Sequence, residues 1–327
     1  MGTSLEKLGQ ILPENQLCIF ESDESFSGDA LWKYWSEFVK HYVREGKSLV
    51  TISNVRDTLK FVILRLKIMT VEACNNPNIL REALYEEKEK RNWSPSTLNT
   101  YRKNLNTYFK WLEDMEYIQE NKIMKVRKCK EIMNEQRTLT EDQVKLIRMQ
   151  IVNRRQTRLE RWRNDLFVAF LAFTGARPCE LLSIQCIDIK KVEKGGYKLV
   201  IKGKKQKGRL RYYTLPSWIR DSYEMYLLKR QELKREEPNL FVSSSKRTGW
   251  TDKGMRGLFK RLSNEIGFNV NAYAFRRYVA TKLNSEGKNL EDIANYLGHT
   301  RISTTKRYIE RSCALTNECA EVMGMVD

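Results

Sequence analysis

Histidine is almost absent from this chain: two in 327 residues, His41 and His299. That scarcity, with seven scattered cysteines and no CxxC pair, excludes a zinc site of the usual ligand spacing. An odd, dispersed set of cysteines also argues against a disulfide framework and for free thiols packed as small hydrophobes in a reducing cytoplasm. No apolar h-region of a signal peptide is seen near the first residues, which carry Glu6, Lys7 and Glu14. The longest apolar run, Leu166 to Phe173, falls far short of the ~20 residues a membrane span needs, so it reads as a core helix. Internal repeats, low-complexity tracts and clustered carboxylates suited to a metal are likewise missing.

What the chain has in excess is positive charge. Lys and Arg number 59 against 41 Asp and Glu, a net of +18. That exceeds what solubility requires and points to a polyanionic partner. Hydrophobic content of 41% allows a proper core, and the length suits roughly two domains.

The pattern along the chain divides it. Residues 1–27 form an acidic, irregular segment. Residues 28–121 read as a helical domain. Leu31, Trp35, Phe38, Val39 and Tyr42 recur at helical spacing, a second pattern runs from Ile52 to Met69, and a third opens at Ser94-Pro95 with Leu98, Tyr101, Leu105, Tyr108, Phe109 and Leu112 on its apolar face. Arg102, Lys103 and Lys110 lie off that stripe, as a solvated face or as contacts to a DNA backbone. Residues 122–137, rich in charge and without clean periodicity, read as a linker. Residues 138–327 start on the capping pair Thr140 and Gln143 and mix helices with three short strands near 185–190, 197–202 and 209–215, with Gly195-Gly196 as the first hairpin turn. Helical patterns resume over 217–235, 251–266, 273–286 and 289–297. The expected fold is mainly α with one small antiparallel sheet, in two domains.

Four segments carry candidate chemistry. In "YLGHTRISTTKRYIE" a helix stripe ends at Gly298, and a second helix starts near Ser303. Alone, this fits a helix-turn-helix regulator, an enzyme, or a core His–Tyr pair. In "FTGARPCELLSI" Arg177 follows a glycine turn, and Glu180 can orient its guanidinium fork, for a structural salt bridge or for a site. In "VIKGKKQKGRLRYYTLP" the hairpin holds Lys202, Lys204, Lys205, Lys207, Arg209 and Arg211, suited to a phosphate or a groove. In "NAYAFRRYVATKL" Arg276 and Arg277 sit on a helix with Phe275, Val279 and Leu283 behind them.

Together, in this order and spacing, the four resemble the tyrosine recombinase (lambda integrase-like, phage integrase) family. The match is to Arg in "TGxRxxELLxL", Lys in a "GKxxKxR" hairpin, Arg before "AT", and "LGHxxxxTTxxY", complete here as Leu297, Gly298, His299, Thr304, Thr305 and Tyr308. It covers about 138–310; "TLNTYRKNLNTYFKWLEDMEYI" resembles the helical core-binding domain of the family more loosely. The resemblance implies a breaking-rejoining catalytic domain with Tyr308 as nucleophile, Arg177, Arg276 and His299 on the scissile phosphate, Lys207 as acid to the leaving oxygen, and Glu180 orienting Arg177. DNA contacts would come from Arg102, Lys103, Lys110, Lys202, Lys204, Lys205, Arg209, Arg211 and Arg277. It implies no cofactor and no metal, a homo-tetramer on two DNA sites passing through a Holliday junction, integration or excision of a mobile element, and a tail, 311–327, that docks on the neighbouring protomer. No separate arm-binding domain is expected from the acidic first 27 residues. One departure stands out: Tyr273 occupies the usual histidine position, and a phenol of pKa ~10 is a poor base near neutral pH. The rival readings are a non-catalytic DNA-binding relative and a type IB topoisomerase-like relaxing enzyme.

Overall fold

The computed structural model describes residues 30–130, 138–192, 196–203 and 209–310, without the side chains of Arg307, Tyr308 and Glu310. The chain divides into two compact units, one ending at Met133 and the other beginning at Asn134.

The first unit is helical: α1 (Trp35–Arg44), α2 (Leu49–Leu64), the single turn α3 (Val71–Cys74), α4 (Pro77–Lys90) and α5 (Pro95–Asp114), followed by a 3₁₀ turn at Ile123–Lys125. The stripes expected from periodicity point inward. Leu31, Phe38, Leu98, Leu105, Tyr108, Phe109 and Leu112 are fully buried, and the Tyr108 hydroxyl donates to the Leu31 carbonyl at 3.1 Å. Ser94 caps α5 by accepting from the Thr97 amide, with Pro95 in the first turn. The supposed linker is not all linker. Ile123 and Val126 are buried in this core, and the Asn99 side chain pairs with both backbone groups of Cys129 at 2.9 Å.

The second unit is built around α7 (Arg158–Thr174). Residues Leu166 to Leu171 are all fully buried because the helix is covered by α6 (Glu141–Asn153), α9 (Ser217–Glu232) and α11 (Ala272–Ser285). Burial on every side explains the continuous apolar run. Capping boxes start both α6, through Thr140 and Gln143, and α7, through Thr157 and Glu160. After α7 come the short α8 (Pro178–Leu182) and the strands β1 (Ile189–Lys191), β2 (Tyr197–Lys202) and β3 (Leu210–Thr214). They form one antiparallel sheet in the order β1-β2-β3, with Leu199 opposite both Ile189 and Tyr213, and Ile201 opposite Arg211. β1 begins later than expected, because Cys186–Asp188 forms a 3₁₀ turn in which the Asp188 carboxylate accepts from the Gln185 amide. Then follow α10 (Asp252–Ile266), α12 (Leu290–Leu297) and α13 (Ile302–Glu310). No described helix is long and apolar enough to cross a membrane. Cys74, Cys129, Cys179 and Cys186 are free thiols.

Candidate active site

Two left-handed glycines bring distant segments together. Gly175, at φ +57°, ends α7, and a Cβ there would lie 2.4 Å from Leu297 Cδ2 and 3.2 Å from Val279 Cβ. Its carbonyl accepts from Arg276 Nη1 at 2.7 Å, tying the end of α7 to α11. Gly298, at φ +68°, ends α12, and a Cβ there would crowd the Arg211 guanidinium at 3.0–3.1 Å. The Gly298 amide donates to Asn295 and the His299 amide to Ala294, the paired bonds of a Schellman ending. That ending turns His299 inward, and the Gly298 carbonyl accepts from Arg177 Nη1 at 3.3 Å.

Glu180 anchors the arginines. Its Oε1 accepts from Arg177 Nη1 at 2.9 Å, and its Oε2 accepts from the Arg177 amide at 3.0 Å and from Arg211 Nη2. Burial by itself would raise the Glu180 carboxyl pKa, but Arg211 and Arg177 more than offset it and hold the group below its usual range. Arg211 Nη1 also donates to the Leu297 carbonyl at 2.8 Å, and the Tyr213 hydroxyl donates to Tyr296 at 2.6 Å, so β3 is bonded to α12.

Arg276 is 1% exposed. Its Nε donates to His299 Nε2 at 3.2 Å, and His299 Nδ1 lies 2.6 Å from Thr305 Oγ1. Burial, then Arg276, Arg177 and Arg211, push the His299 pKa down to about 3, so the ring is neutral at ordinary pH. Arg276, Arg177, Arg211 and Glu180 together carry a formal +2 (three cations, one anion), held inside the fold. Such a cluster is a preorganised seat for an anion with two negative oxygens.

The expected residues do not all arrive there. Arg177, Arg276, His299 and Glu180 are brought together as the motifs suggested. Tyr308 lies in α13, three positions after Thr305, with its side chain outside the described residues. Lys204, Lys205 and Lys207 also lie outside the described residues. Tyr273, in the first turn of α11, is half exposed, whereas Arg276 three residues on is buried. Arg211 corrects the sequence reading: it is 6% exposed and bonded to Glu180, so it is an interior ion-pair partner and not a DNA contact. Strand alternation places it on the inner face with Tyr213. Arg102 is partly buried and has partners within its own unit. Its guanidinium binds the carbonyls of Val126 and Met124, holding the 3₁₀ turn onto α5. Lys103, Lys110, Lys202 and Arg209 are exposed, with Lys202 3.2 Å from Asp188 and Arg209 3.3 Å from the Asn295 side chain. Arg277 is half-buried. Both ring nitrogens of His299 have partners within the fold. Thr305 was read only as a motif position; its bond to a histidine six residues earlier depends on the turn between them.

The Phage integrase family model matches residues 137–314. Tyrosine recombinase XerA of Pyrococcus horikoshii is 25% identical over 311 residues, covering 94% of this chain and 98% of that protein. XerA of Pyrococcus furiosus is 26% identical over 242 residues, 72% of this chain and 77% of that one. Among solved structures, the XerH site-specific recombinase bound to palindromic difH substrate, a post-cleavage complex, superposes with a TM-score of 0.68 at 21% identity, covering 85% of this chain and 81% of that one. A lambda integrase dimer bound to a COC′ core site gives 0.63 at 16%, covering 94% and 88%. These superpositions establish a shared fold. Because the family model spans more than half of the 327 residues and includes all the segments that build the arginine–histidine seat, the chain belongs to the phage integrase family and is a tyrosine-type site-specific DNA recombinase.

Proposed function

We propose that this protein cuts and rejoins duplex DNA through a covalent 3′-phosphotyrosine at Tyr308. The observation that carries the reading is the convergence of Arg177, Arg276 and His299, separated by up to 122 positions in the sequence, in one buried cationic seat. Attack on a phosphodiester gathers negative charge on the two non-bridging oxygens, and planar guanidinium forks match those oxygens. Glu180 and Arg211 hold Arg177 in place before the substrate arrives, which removes reorganisation from the chemical step.

In the proposed step the Tyr308 oxygen bonds to phosphorus, its proton passes to solvent, and the bond to the 5′ oxygen breaks. Lys207 gives that oxygen a proton, so a 5′-hydroxyl leaves. Attack by a 5′-hydroxyl from the other duplex reverses the sequence, and the phosphodiester energy is conserved in the enzyme–DNA link. Lys103, Lys110, Lys202, Lys204, Lys205, Arg209 and Arg277 are the candidate backbone contacts.

The assembly we propose is four protomers on two DNA sites, exchanging strands pairwise through a Holliday junction, in integration or excision of a mobile element. The second unit contains a cavity of about 890 Å³ whose apolar walls include Val144, Met149, Phe173, Trp218 and Leu283. Ala314, Leu315, Ala320, Val322 and Met323 in segment 311–327, outside the described residues, supply apolar side chains to fill that cavity on a second copy.

A duplex nicked beside the cleavage position tests the chemistry, since loss of the short fragment traps the covalent intermediate. The wild-type protein should form the adduct, and Tyr308→Phe should form none. A full yield of adduct from Tyr308→Phe, or none from the wild type, removes the assignment; the latter result is what a non-catalytic relative gives. Relaxation of supercoiled DNA by a monomer without paired sites would favour the topoisomerase-like reading.

A further inference from the structure

The ring of His299 is held at both nitrogens, and the two partners differ in what they can do. Arginine has only donors, so Arg276 Nε, 3.2 Å away, makes His299 Nε2 an acceptor. In a neutral imidazole the other nitrogen must then carry the hydrogen. Nδ1–H therefore donates to Thr305 Oγ1 at 2.6 Å. Thr305 is fully buried, in the same helix as Tyr308 and three positions before it. An anion entering beside Arg276 and His299 meets a lone pair on Nε2 where a donor is required.

We propose that Thr305 is a positioning residue: its hydroxyl, accepting from Nδ1–H, holds the ring in the tautomer that Arg276 selects, so that seating an oxyanion against Arg276 and His299 draws a second proton onto Nε2. The proton comes from solvent, no covalent bond changes, and the ring becomes a cation with two N–H donors, one to Thr305 and one to the oxyanion. The inference rests on the reading of this seat as the place of a DNA phosphate. Among the described residues, the charged groups acting on the ring are Arg276 from α11, Arg177 from the turn before α8 and Arg211 from β3, the last two paired with Glu180. The three guanidinium groups disfavour a cationic ring in the empty seat; an anion placed among them reverses that balance. Anion binding and proton uptake are thus linked, and the affinity should fall about tenfold per pH unit between the pKa of the free ring, about 3, and the higher pKa of the occupied ring, levelling off above the latter.

The scarcity of histidine makes the test direct. Full-length Tyr308→Phe protein labelled with ¹⁵N-histidine shows two rings, and His41→Gln assigns them. Sulfate serves as the probe, because its own charge is constant over the working range. The free protein should show His299 neutral with its hydrogen on Nδ1; saturating sulfate at pH 7 should give a doubly protonated ring. Thr305→Val keeps the shape of the side chain and removes the hydroxyl. Its occupied ring should instead be neutral with the hydrogen on Nε2, and sulfate affinity should lose most of its pH dependence. Thr305→Ser should restore both. A hydrogen on Nε2 in the free wild type, a neutral ring at sulfate saturation, no response of the ring to sulfate, or an unchanged pH dependence in Thr305→Val each overturns the proposal. Formation of the Tyr308 adduct alongside any of these results removes this inference and leaves the recombinase reading intact; absence of the adduct removes the reading itself.

Discussion

Replacing Arg211 by leucine separates an interior role from a DNA contact. The Arg211 side chain is 6% exposed, and its partner Glu180 is fully buried. The substitution removes one of the two guanidinium groups on that carboxylate, and it leaves the Leu297 carbonyl without its donor at 2.8 Å. Breaking a buried ion pair by deleting one partner costs about 3–5 kcal/mol. Arg177 remains on Glu180, which favours the lower end, about 3 kcal/mol. For a unit of this size each kcal/mol moves the melting temperature by about 2–4 °C, so a drop of roughly 6–12 °C is expected. Thermal unfolding followed by circular dichroism measures it, with exposed Arg209→Leu as the control, expected within about 0.5 kcal/mol of wild type. In a salt titration of DNA binding, Arg209→Leu should lower the log–log slope by about one phosphate contact. The reasoning is refuted if Arg211→Leu melts within 2 °C of wild type while its DNA affinity and salt slope fall in the manner expected of Arg209→Leu.

Gly175→Ala should destabilise by about 2–5 kcal/mol, from the left-handed backbone and from overpacking, read by urea unfolding. The stability that Glu180 contributes through its depressed pKa is fully present above its unfolded value, ~4.3, and is lost as pH falls through the lower folded value. The stability gap between wild type and Glu180→Gln should therefore narrow between pH 5 and pH 3; a gap independent of pH contradicts the charge assignment. DNA affinity of the intact protein should fall with salt at a slope of about −0.9 per phosphate contact, and a flat plot contradicts a basic binding face.

Local chemistry was legible in the sequence. Ser94, Thr140 and Gln143 cap where their spacing says they should, and Gly298 ends its helix, because each requires only neighbours within a turn. The run Leu166 to Phe173 announced the central helix. Helix α4 was not read, because only Leu80 and Leu84 among its fourteen residues are buried and charge masks the period. Arg211 was assigned by its charge, although alternation with Tyr213 and Leu215 already placed it on the inner face of β3. The destination of Arg102 depends on a turn some twenty residues later, and the partner of Thr305 depends on the Schellman ending of α12. Neither contact has a signature in residue spacing. The four site residues Arg177, Glu180, Arg276 and His299 were found because their motifs come in a recognisable order. The carbonyls of Gly175 and Gly298, which bind two of those side chains, became evident only with the backbone in view.

The account depends most on the chemical identity of the enzyme–DNA bond. Protein trapped on a nicked duplex, digested and analysed by tandem mass spectrometry, should yield one peptide in which Tyr308 carries a 3′-linked nucleotide. A nucleotide on any other side chain, or on the 5′ side of the break, would contradict it.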